Sequence, residues 1–353
     1  MDEKKDTLEL LDMMVQPVFC VKDNIIIRAN AAARQMLLRE GEDIRPLLGT
    51  GSEEYENFRE GCLYLSLRVA GESLAATVRP FGDCHLFELE QSSADALRAM
   101  ALASSQLRHP LTGALSQMEA LLEDQKDPQL LQQLAGLNRE LYRMLRLLGN
   151  MSDAQQTALF CRPVTEDAGQ VIRNIFEKAI PFAQKSGFRL EYQGLEETVY
   201  CLLDKQQLER AVLNLLSNAM KFSPKASLIR ASLTRRGRTL ILTVQDSGSG
   251  ISQEILGSLY RRHLRQPGIE DSRYGIGLGM QIVHAVAQAH GGTVLVTQGE
   301  QGGTRVVMTL AIRQNSADTL HSPVFDIDYS GGFDHQLVEL SDSLSWELFD
   351  GNC

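Results

Sequence analysis

The chain has 353 residues, of which 43% are hydrophobic and 23% are charged, and its formal net charge is -10. This length and composition are typical of a globular protein with two or three domains. The acidic balance argues against a nucleic-acid binder, because neutralising phosphates requires clustered Lys and Arg. No stretch approaches the roughly 20 apolar residues of a membrane helix. We therefore expect a cytoplasmic protein with no membrane insertion.

Residues 1–92 contain short strand patterns on either side of helical ones. The stretch PVFCVKDNIIIRANAAARQML has two apolar runs, separated by a polar turn at Lys22–Asn24, and then a helix-like segment. Further on, CLYLSLRVAGESLAATVRPFGDCHLFELE predicts three strands with turns near Gly71 and Gly82–Asp83. This order resembles a PAS sensor domain, and an unrelated α+β domain is the alternative.

Residues 93–155 predict two helices that each carry an apolar seam, and Asp127-Pro128 marks the start of the second. In the second helix the seam residues alternate at spacings of four and three: Leu130, Leu134, Leu137, Leu141, Met144 and Leu148. The first helix has a similar series, in which Ser104 fills the position between the first two apolar residues: Met100, Leu107, Leu111, Ala114, Met118 and Leu121. One antiparallel hairpin cannot bury both seams, so we expect a homodimeric four-helix bundle. A monomeric hairpin folded onto neighbouring domains is the alternative.

Residues 156–313 alternate helix and strand patterns and predict an α/β sandwich. The helical stretch LERAVLNLLSNAMKFSP places Asn214 and Asn218 four residues apart on one face, with Lys221 on the next turn. An amide oxygen is a suitable Mg²⁺ ligand, and a lysine can contact phosphate oxygens. This face therefore offers groups for a metal and for phosphates.

Two glycine-rich stretches follow in the same segment. LILTVQDSGSGIS is a strand that leads into a turn, and it puts Asp246 where a carboxylate can accept from an adenine amine. YGIGLGMQIVHAVAQAHGGTV is a glycine loop that opens a helix, whose first N–H groups can meet phosphates. Neither the Rossmann nor the P-loop glycine spacing is present.

Four motifs in this segment, in order and spacing, resemble those of the ATP-binding domain of sensor histidine kinases, which is of the GHKL type. NLLSNAMKF looks like the N box, DSGSGI the G1 box, GIGLGMQIV the G2 box and GGTRVVMTL the closing glycine strand. The resemblance implies ATP and Mg²⁺ as cofactors. It implies that Asn218 chelates Mg²⁺, that Asn214 and Lys221 support the phosphates, and that Asp246 hydrogen-bonds the adenine amino group.

The resemblance also implies a nucleotide pocket and a lid at about residues 252–274. The residues that would shape the pocket are Gly248, Gly250, Gly275, Gly277, Leu278 and Gly279. In the lid, Tyr260 and His263 stand where the family usually has aromatic residues, Phe in the case of Tyr260. We therefore expect the lid to close differently.

The stretch SSQLRHPLTGAL resembles the family's H box, approximately S-H-E-L-R-T-P-L, but departs from it at the acceptor. Ser105 replaces the phosphorylated histidine, Gln106 replaces the acid beside it, and His109 stands at the threonine position. Autophosphorylation at the usual position is thus in doubt, because a serine hydroxyl needs a base. His109 lies about 40° around the helix and ~6 Å along it from Ser105. It is a displaced acceptor, a group that orients water for phosphatase activity, or a residue with no role.

Residues 314–353 contain no Lys or Arg and eight acidic residues. This composition predicts a disordered tail. Within it, LVELSDSLSWELF has apolar residues near helical spacing, so a docking helix is the alternative.

The sequence as a whole predicts a multidomain α+β protein, with boundaries at 1–92, 93–155, 156–313 and 314–353. Its predicted function is that of a two-component sensor kinase, which transfers the γ-phosphoryl group of Mg-ATP to a protein side chain and then to a response regulator. The alternative is an ATP-binding pseudokinase or adaptor, or a phosphatase-biased regulator, that acts through conformational change. The expected partners are a second copy of the chain and a response regulator receiver domain, with no nucleic acid.

Overall fold

A computed structural model describes residues 10–89, 94–123, 125–156, 161–250, 278–299, 302–313 and 330–351. The strands are β1 (Val18–Lys22), β2 (Ile25–Ala29), β3 (Cys62–Val69), β4 (Glu72–Phe81), β5 (Cys84–Leu89), β6 (Val164–Asp167), β7 (Arg189–Gln193), β8 (Tyr200–Leu203), β9 (Leu228–Arg236), β10 (Thr239–Gln245), β11 (Val294–Gln298) and β12 (Thr304–Ala311). The helices are α1 (Ala31–Gln35), α2 (Arg45–Leu48), α3 (Ser52–Asn57), α4 (Ala94–Glu123), α5 (Pro128–Gln156), α6 (Ala168–Lys185), α7 (Lys205–Phe222), α8 (Leu278–Ala289) and α9 (His335–Leu340).

The N-terminal strands form an antiparallel sheet in the order β2-β1-β5-β4-β3, with α1, α2 and α3 between β2 and β3 in the chain. The three strands predicted from residue 62 onward are present as β3, β4 and β5, and the predicted turns contain Gly71 and Gly82, both with positive φ. On one face, the rings of Phe19 and Phe87 stack with centroids 4.9 Å apart. These strands therefore have an apolar core of their own.

The N-terminal sheet and the strands of residues 156–313 are joined edge to edge. β3 pairs antiparallel with β11, so that Leu63 lies opposite Leu295. Ten of the described strands thus form one sheet, in the order β2-β1-β5-β4-β3-β11-β12-β10-β9-β7. The sequence patterns do not predict this pairing.

A glycine permits the two edges to meet. Gly61, directly before β3, has φ +88, and a Cβ atom there would lie 2.2 Å from the carbonyl oxygen of Val296 on β11. Any other residue at this position would collide with the neighbouring backbone and would also adopt a strained φ.

Helices α4 and α5 pack against each other as a hairpin joined by residues 124–127. As predicted, the second helix begins at Pro128, and Asp127 Oδ1 accepts a hydrogen bond from the Gln129 N–H at 2.9 Å. Helix α4 continues through Pro110. The side of the hairpin that is buried within the chain includes Leu111, Leu115, Met118, Leu122, Ala135, Tyr142, Leu145 and Leu148.

Helix α7 lies at the centre of the packing in residues 156–313 and contacts α6, α8, α9 and β10. The Asp204 side chain caps its N-terminus by accepting from the Gln207 N–H at 3.1 Å, which contributes about 1 kcal/mol. Almost every residue of α7 from Leu208 to Met220 is buried. This helix is therefore held rigidly, and its polar residues have fixed positions.

The prediction of a disordered tail is wrong for residues 330–351. This stretch forms α9 and a 3₁₀ turn at Trp346–Phe349, and it packs on α5, α6 and α7. Its buried apolar side chains are Leu337, Val338, Leu340, Leu344, Leu348 and Phe349. Burial of these side chains offsets the cost of ordering a segment whose average composition is polar. Residues 314–329 lie outside the described residues.

Within the ranges that the structure describes, we find no helix that is both long enough and apolar enough to cross a membrane.

Candidate nucleotide site

Helix α7 presents the three polar residues predicted for the phosphates and the metal. The Asn214 side chain is fully buried, Asn218 is half-buried, and the Lys221 side chain is 16% exposed. Their spacings of four and three residues place them along one face of the helix. The face looks toward the end of β10 and the start of α8, because Gly279 on α8 lies against Asn214.

Asp246 follows β10 and is held in place by backbone groups. Its Oδ1 accepts hydrogen bonds from the N–H groups of Gly248 at 2.8 Å and Thr304 at 2.9 Å. Burial raises the pKa of Asp246, and these hydrogen bonds oppose that shift only in part. The site therefore holds a buried carboxylate with a fixed orientation, which is suited to a single directional hydrogen bond with a ligand.

Glycines surround this carboxylate because the backbone segments approach too closely for side chains. A Cβ atom at Gly248 would lie 2.4 Å from the Phe222 carbonyl oxygen. At Gly303 it would lie 2.2 Å from the carbonyl oxygen of Asp246. Gly250 has φ +75, a conformation that favours glycine.

The predicted loop residues Gly275 and Gly277 lie outside the described residues, as does the lid at 252–274 with Tyr260 and His263. Leu278 is the first residue of α8. The roles assigned to these positions stay predictions.

Two arginines that the sequence patterns did not single out also lie at this site. Arg146 reaches from α5 to α7, where its Nη2 donates to Asn214 Oδ1 at 3.0 Å and its Nη1 to Ser217 Oγ at 2.9 Å. Arg210, on α7 itself, donates from Nη2 to Asn150 Oδ1 on α5 at 3.2 Å. The hairpin thus docks on the helix that carries the N-box motif. The available signal was an arginine inside an otherwise apolar helix face.

Two carboxylates of the C-terminal segment, residues 330–351, contact the same residues. Glu339 Oε2 accepts from Asn214 Nδ2 at 3.2 Å, and Glu339 Oε1 accepts from Arg210 Nε at 3.2 Å. Asp342 Oδ2 lies 2.9 Å from Arg146 Nη1 and 3.8 Å from Lys221 Nζ. An acidic segment of the chain therefore contacts two residues predicted to serve the nucleotide phosphates.

The candidate acceptor residues are separate from this cluster. Ser105, Gln106 and His109 are exposed on α4. The Ser105 hydroxyl donates to the Leu102 carbonyl of its own helix at 2.9 Å. Among the described residues no hydrogen bond joins these three side chains to Asp246 or to the polar residues of α7. The structure thus places the acceptor candidates on an accessible helix face, apart from the residues predicted to bind the nucleotide.

Comparisons with known proteins show which families the chain resembles. Residues 203–314 match the family described as histidine kinase-, DNA gyrase B-, and HSP90-like ATPase. The sensor protein KdpD of Clostridium acetobutylicum is 27% identical over 224 residues, which are 61% of this chain and 24% of that protein. The sensor histidine kinase TmoS of Ectopseudomonas mendocina is 32% identical over 214 residues, 58% of this chain and 22% of that protein.

The sensor histidine kinase CusS of Escherichia coli is 28% identical over 210 residues, 58% of this chain and 43% of that protein. A solved structure of full-length ShkA in complex with AMPPNP is 21% identical, with a TM-score of 0.49, and covers 62% of this chain and 47% of that one. The chain spans less than half the length of each of these three curated relatives. Residues 203–314 therefore belong to the histidine kinase-, DNA gyrase B-, and HSP90-like ATPase family, and the relatives support the sensor histidine kinase family for this chain.

Proposed function

We propose that this chain is an ATP-dependent two-component sensor kinase that binds Mg-ATP between α7, the turn after β10 and the start of α8. The observation that carries the proposal is the Asp246 carboxylate, which two backbone N–H groups hold beside glycines that leave no room for side chains. An ionised carboxylate in this position accepts the hydrogen bond of an adenine amino group. The backbone around it is close enough to contact the rest of the base.

The residues present also fit a magnesium ion. Asn218 is half-buried and carries a hard amide oxygen, and its side chain makes no hydrogen bond within the part of the chain that the structure describes. Mg²⁺ is commonly held by one or two protein oxygens together with phosphate oxygens and water. Bound there, the ion would neutralise charge on the transferring phosphoryl group. If Asn218→Ala leaves the affinity for Mg-ATP unchanged, the metal assignment is wrong.

Phosphoryl transfer to a protein side chain is favoured over ATP hydrolysis. In related ATPases of this superfold a glutamate at the position of Asn214 activates water, and an amide cannot take up that proton. Catalysis would then rest on positioning the γ-phosphoryl group and neutralising its charge. In the transfer, the bond from the γ-phosphorus to the bridging oxygen breaks, a bond to the side chain forms, and ADP leaves.

Two side chains on α4 are candidate acceptors. His109 is exposed, and an imidazole nitrogen attacks phosphorus without a separate base. Ser105 occupies the family's acceptor position, but its hydroxyl donates to the Leu102 carbonyl, and Gln106 beside it is not a base. On this chemistry His109 is the better acceptor.

Incubation with γ-labelled ATP tests the proposal, because phosphohistidine is acid-labile and phosphoserine is acid-stable. We expect acid-labile label that is lost in His109→Gln. Acid-stable label lost in Ser105→Ala would instead identify Ser105. Ser116→Ala is the matched control, since Ser116 is an exposed serine three turns along the same helix face. No label in the presence of measurable ATP binding would contradict the kinase proposal.

Homodimerisation belongs to the same proposal. Apolar residues recur at multiples of seven along the outer side of each hairpin helix and are 40% to 59% exposed: Leu107, Leu121, Leu130, Leu137 and Met144. If a partner covered these residues, they would form an ordinary helix–helix interface. This second apolar face therefore supports a four-helix bundle with another copy of the chain.

The remaining parts of the proposal concern input and output. The strand order β2-β1-β5-β4-β3, with helices inserted between β2 and β3, supports a PAS-like sensor in residues 1–92. A response regulator receiver domain would take the phosphoryl group from the exposed face of α4. We place this activity in the cytoplasm.

A pseudokinase is the second candidate, and one observation favours it. The Ser105 hydroxyl contacts only its own helix backbone, and the described residues offer no base to it. ATP binding would then switch the shape of the dimer, or bias the phosphatase activity of a partner regulator, without transfer within the chain. The labelling experiment separates the two functions.

A further inference from the structure

The C-terminal segment, residues 330–351, is an acidic ligand on a basic surface. It contains no Lys or Arg. Two of its carboxylates, Glu339 and Asp342, together contact four cationic side chains of α5 and α7: Arg143, Arg146, Arg210 and Lys221. The segment and its binding surface are therefore complementary in charge.

This surface includes residues of the nucleotide site. Asn214 donates from Nδ2 to Glu339 Oε2 at 3.2 Å, and Lys221 lies 3.8 Å from Asp342 Oδ2. Phosphate oxygens and carboxylate oxygens are recognised by the same donors, which are amide N–H, ammonium and guanidinium groups. A nucleotide whose phosphates approach Asn214 and Lys221 would meet the two carboxylates already in place.

Burial of these ion pairs links release of the segment to the arrival of another anion. The side chains of Glu339, Arg146 and Arg210 are 1%, 7% and 6% exposed. Removing one partner from a buried ion pair is costly because the other charge stays buried and uncompensated. The segment can therefore leave most easily when another anion takes its place beside the arginines.

Asp342 is poised to be anionic at neutral pH. Burial alone would raise its pKa, but Arg146, Lys221 and Arg143 outweigh burial and hold the pKa below its ordinary value. The side chain is one-quarter exposed, so it lies at the edge of the cluster, where an incoming anion first makes contact.

We propose that the C-terminal segment is a displaceable occupant of the phosphate side of the nucleotide site, so that the segment and the phosphates of Mg-ATP bind in competition. Rather than an unstructured end, the segment is an autoinhibitory element. The inference rests on the proposed nucleotide site and adds a means of its regulation. Whatever stabilises the docked segment lowers the apparent affinity for ATP by the fraction of molecules whose site is open.

The chain contains a built-in probe for this exchange. Trp346 is its only tryptophan, and it is half-buried at the start of the 3₁₀ turn. That turn is anchored on α5, where Asn138 Nδ2 donates to the Phe349 carbonyl at 3.0 Å and the Phe349 ring lies 5.3 Å from Tyr142. The emission of Trp346 therefore reports whether the segment is docked.

The experiment is a titration of the full chain with Mg-ATP, followed by Trp346 emission and, separately, by equilibrium dialysis of labelled ATP. We expect a saturable red shift whose midpoint coincides with ATP binding. Adenosine, which lacks phosphates, should leave the emission unchanged. An equal shift with adenosine, or saturation with Mg-ATP without any shift, would overturn competition at the phosphate side.

Charge removal gives the matching affinity test. In Glu339→Gln/Asp342→Asn the emission should already be red-shifted without nucleotide, and Mg-ATP should bind at least about tenfold more tightly. Arg143→Gln removes one ion pair of Asp342 without changing a predicted nucleotide residue, and it should have a smaller effect in the same direction. Glu347→Gln is the control, because Glu347 is exposed in the same segment and its carboxylate accepts from the Ser345 hydroxyl.

The failure of this inference is distinguishable from failure of the nucleotide site. Equal ATP affinity in the double variant and the unaltered chain, with a docked Trp346 in both, overturns the inference and leaves ATP binding intact. A double variant that keeps its helical circular dichroism, shows a released Trp346 and still binds no ATP overturns both.

Discussion

Tyr64 of β3 lies opposite Val294 of β11, and its ring centroid is 5.8 Å from that of His284 on α8. The last strand of the N-terminal sheet thus contacts both a strand and a helix of the ATPase domain. Helix α8 begins at the glycine loop that is predicted to bind phosphates, and it packs on α7. A displacement of β3 would therefore reach the nucleotide site through a single helix.

The first prediction concerns Gly61, which lets β3 and β11 meet. In Gly61→Ala the new methyl group would collide with the Val296 carbonyl oxygen, so the β3–β11 hydrogen bonds should break. Strain at positive φ costs roughly 1–2 kcal/mol, and the lost pairing adds to that cost. Urea unfolding should show a lower free energy of unfolding, and protease should cut the chain between the two sheets more readily.

Gly71→Ala is the matched control for this substitution. Gly71 also has positive φ, +86, but nothing lies within 4 Å of a Cβ atom there. The Gly71→Ala variant should therefore lose only the stability that the backbone strain costs. Equal losses of stability in both variants would mean that the contact with Val296 has no energetic weight.

Local periodicity was enough to predict the polar face of α7 and the position of Asp246. Residues four apart on a helix share a face whatever the rest of the chain does, and an apolar strand pattern that leads into glycines marks where the strand ends. The start of α5 at Pro128 was equally local. The expectation that Asn214 and Asp246 serve one site came from the family resemblance, because no local rule brings a helix and a strand end together.

Long-range contacts explain what the sequence did not reveal. The β3–β11 pairing uses backbone N–H and C=O groups that every residue has, so no side-chain pattern marks it. In the tail, the acidic and small residues determined the average composition and concealed the apolar residues that dock it. The partners of Arg146 lie 68 to 196 positions away in the chain, so no local pattern identifies them.

The second prediction concerns the exposed apolar face of the hairpin. Leu137→Glu should dissociate the proposed homodimer, because each copy would place a charge against an apolar partner. Burying one leucine contributes roughly 1.5–3 kcal/mol, and the substitution removes two per dimer. Analytical ultracentrifugation should show a monomer at concentrations where the unaltered chain is a dimer.

Gln132→Glu adds the same charge to the same helix and serves as the control. Gln132 is exposed and lies about 140° around the helix from Leu137. The Gln132→Glu variant should remain dimeric. Dissociation of both variants would indicate a general effect of charge on α5 and would contradict an interface at Leu137.

The third prediction uses the raised pKa of Asp246. When ionised, this carboxylate accepts from the adenine amino group and repels the carbonyl oxygen of hypoxanthine. A hydrogen bond to a charged group corresponds to roughly a tenfold preference or more for ADP over IDP near pH 7. Because burial raises the pKa, the preference should fall at a higher pH than that of an ordinary aspartate. Calorimetric titrations of both nucleotides between pH 7.5 and 5 measure this ratio.

Asp246→Asn provides the comparison for that experiment. The amide has no proton to gain in this range, so its ADP to IDP ratio should be small and independent of pH. A ratio that changes with pH in the variant as it does in the unaltered chain would assign the titration to another group.

The fourth prediction concerns His284, where the two sheets meet. Complete burial lowers its pKa to about 4, so the imidazole stays neutral when the chain is folded. The unfolded chain takes up a proton near pH 6.5, and stability is therefore lost as the pH falls from 6.5 toward 4, by up to about 3 kcal/mol.

Burial lowers the pKa of His85 and His290 as well, so the unaltered chain has a combined dependence on pH. In His284→Gln the free energy of unfolding, measured with urea between pH 7.5 and 5, should fall less steeply than in the unaltered chain. Identical slopes in His284→Gln and the unaltered chain would show that His284 takes up its proton as readily in the folded chain as in the unfolded one, contrary to its burial beside Tyr64.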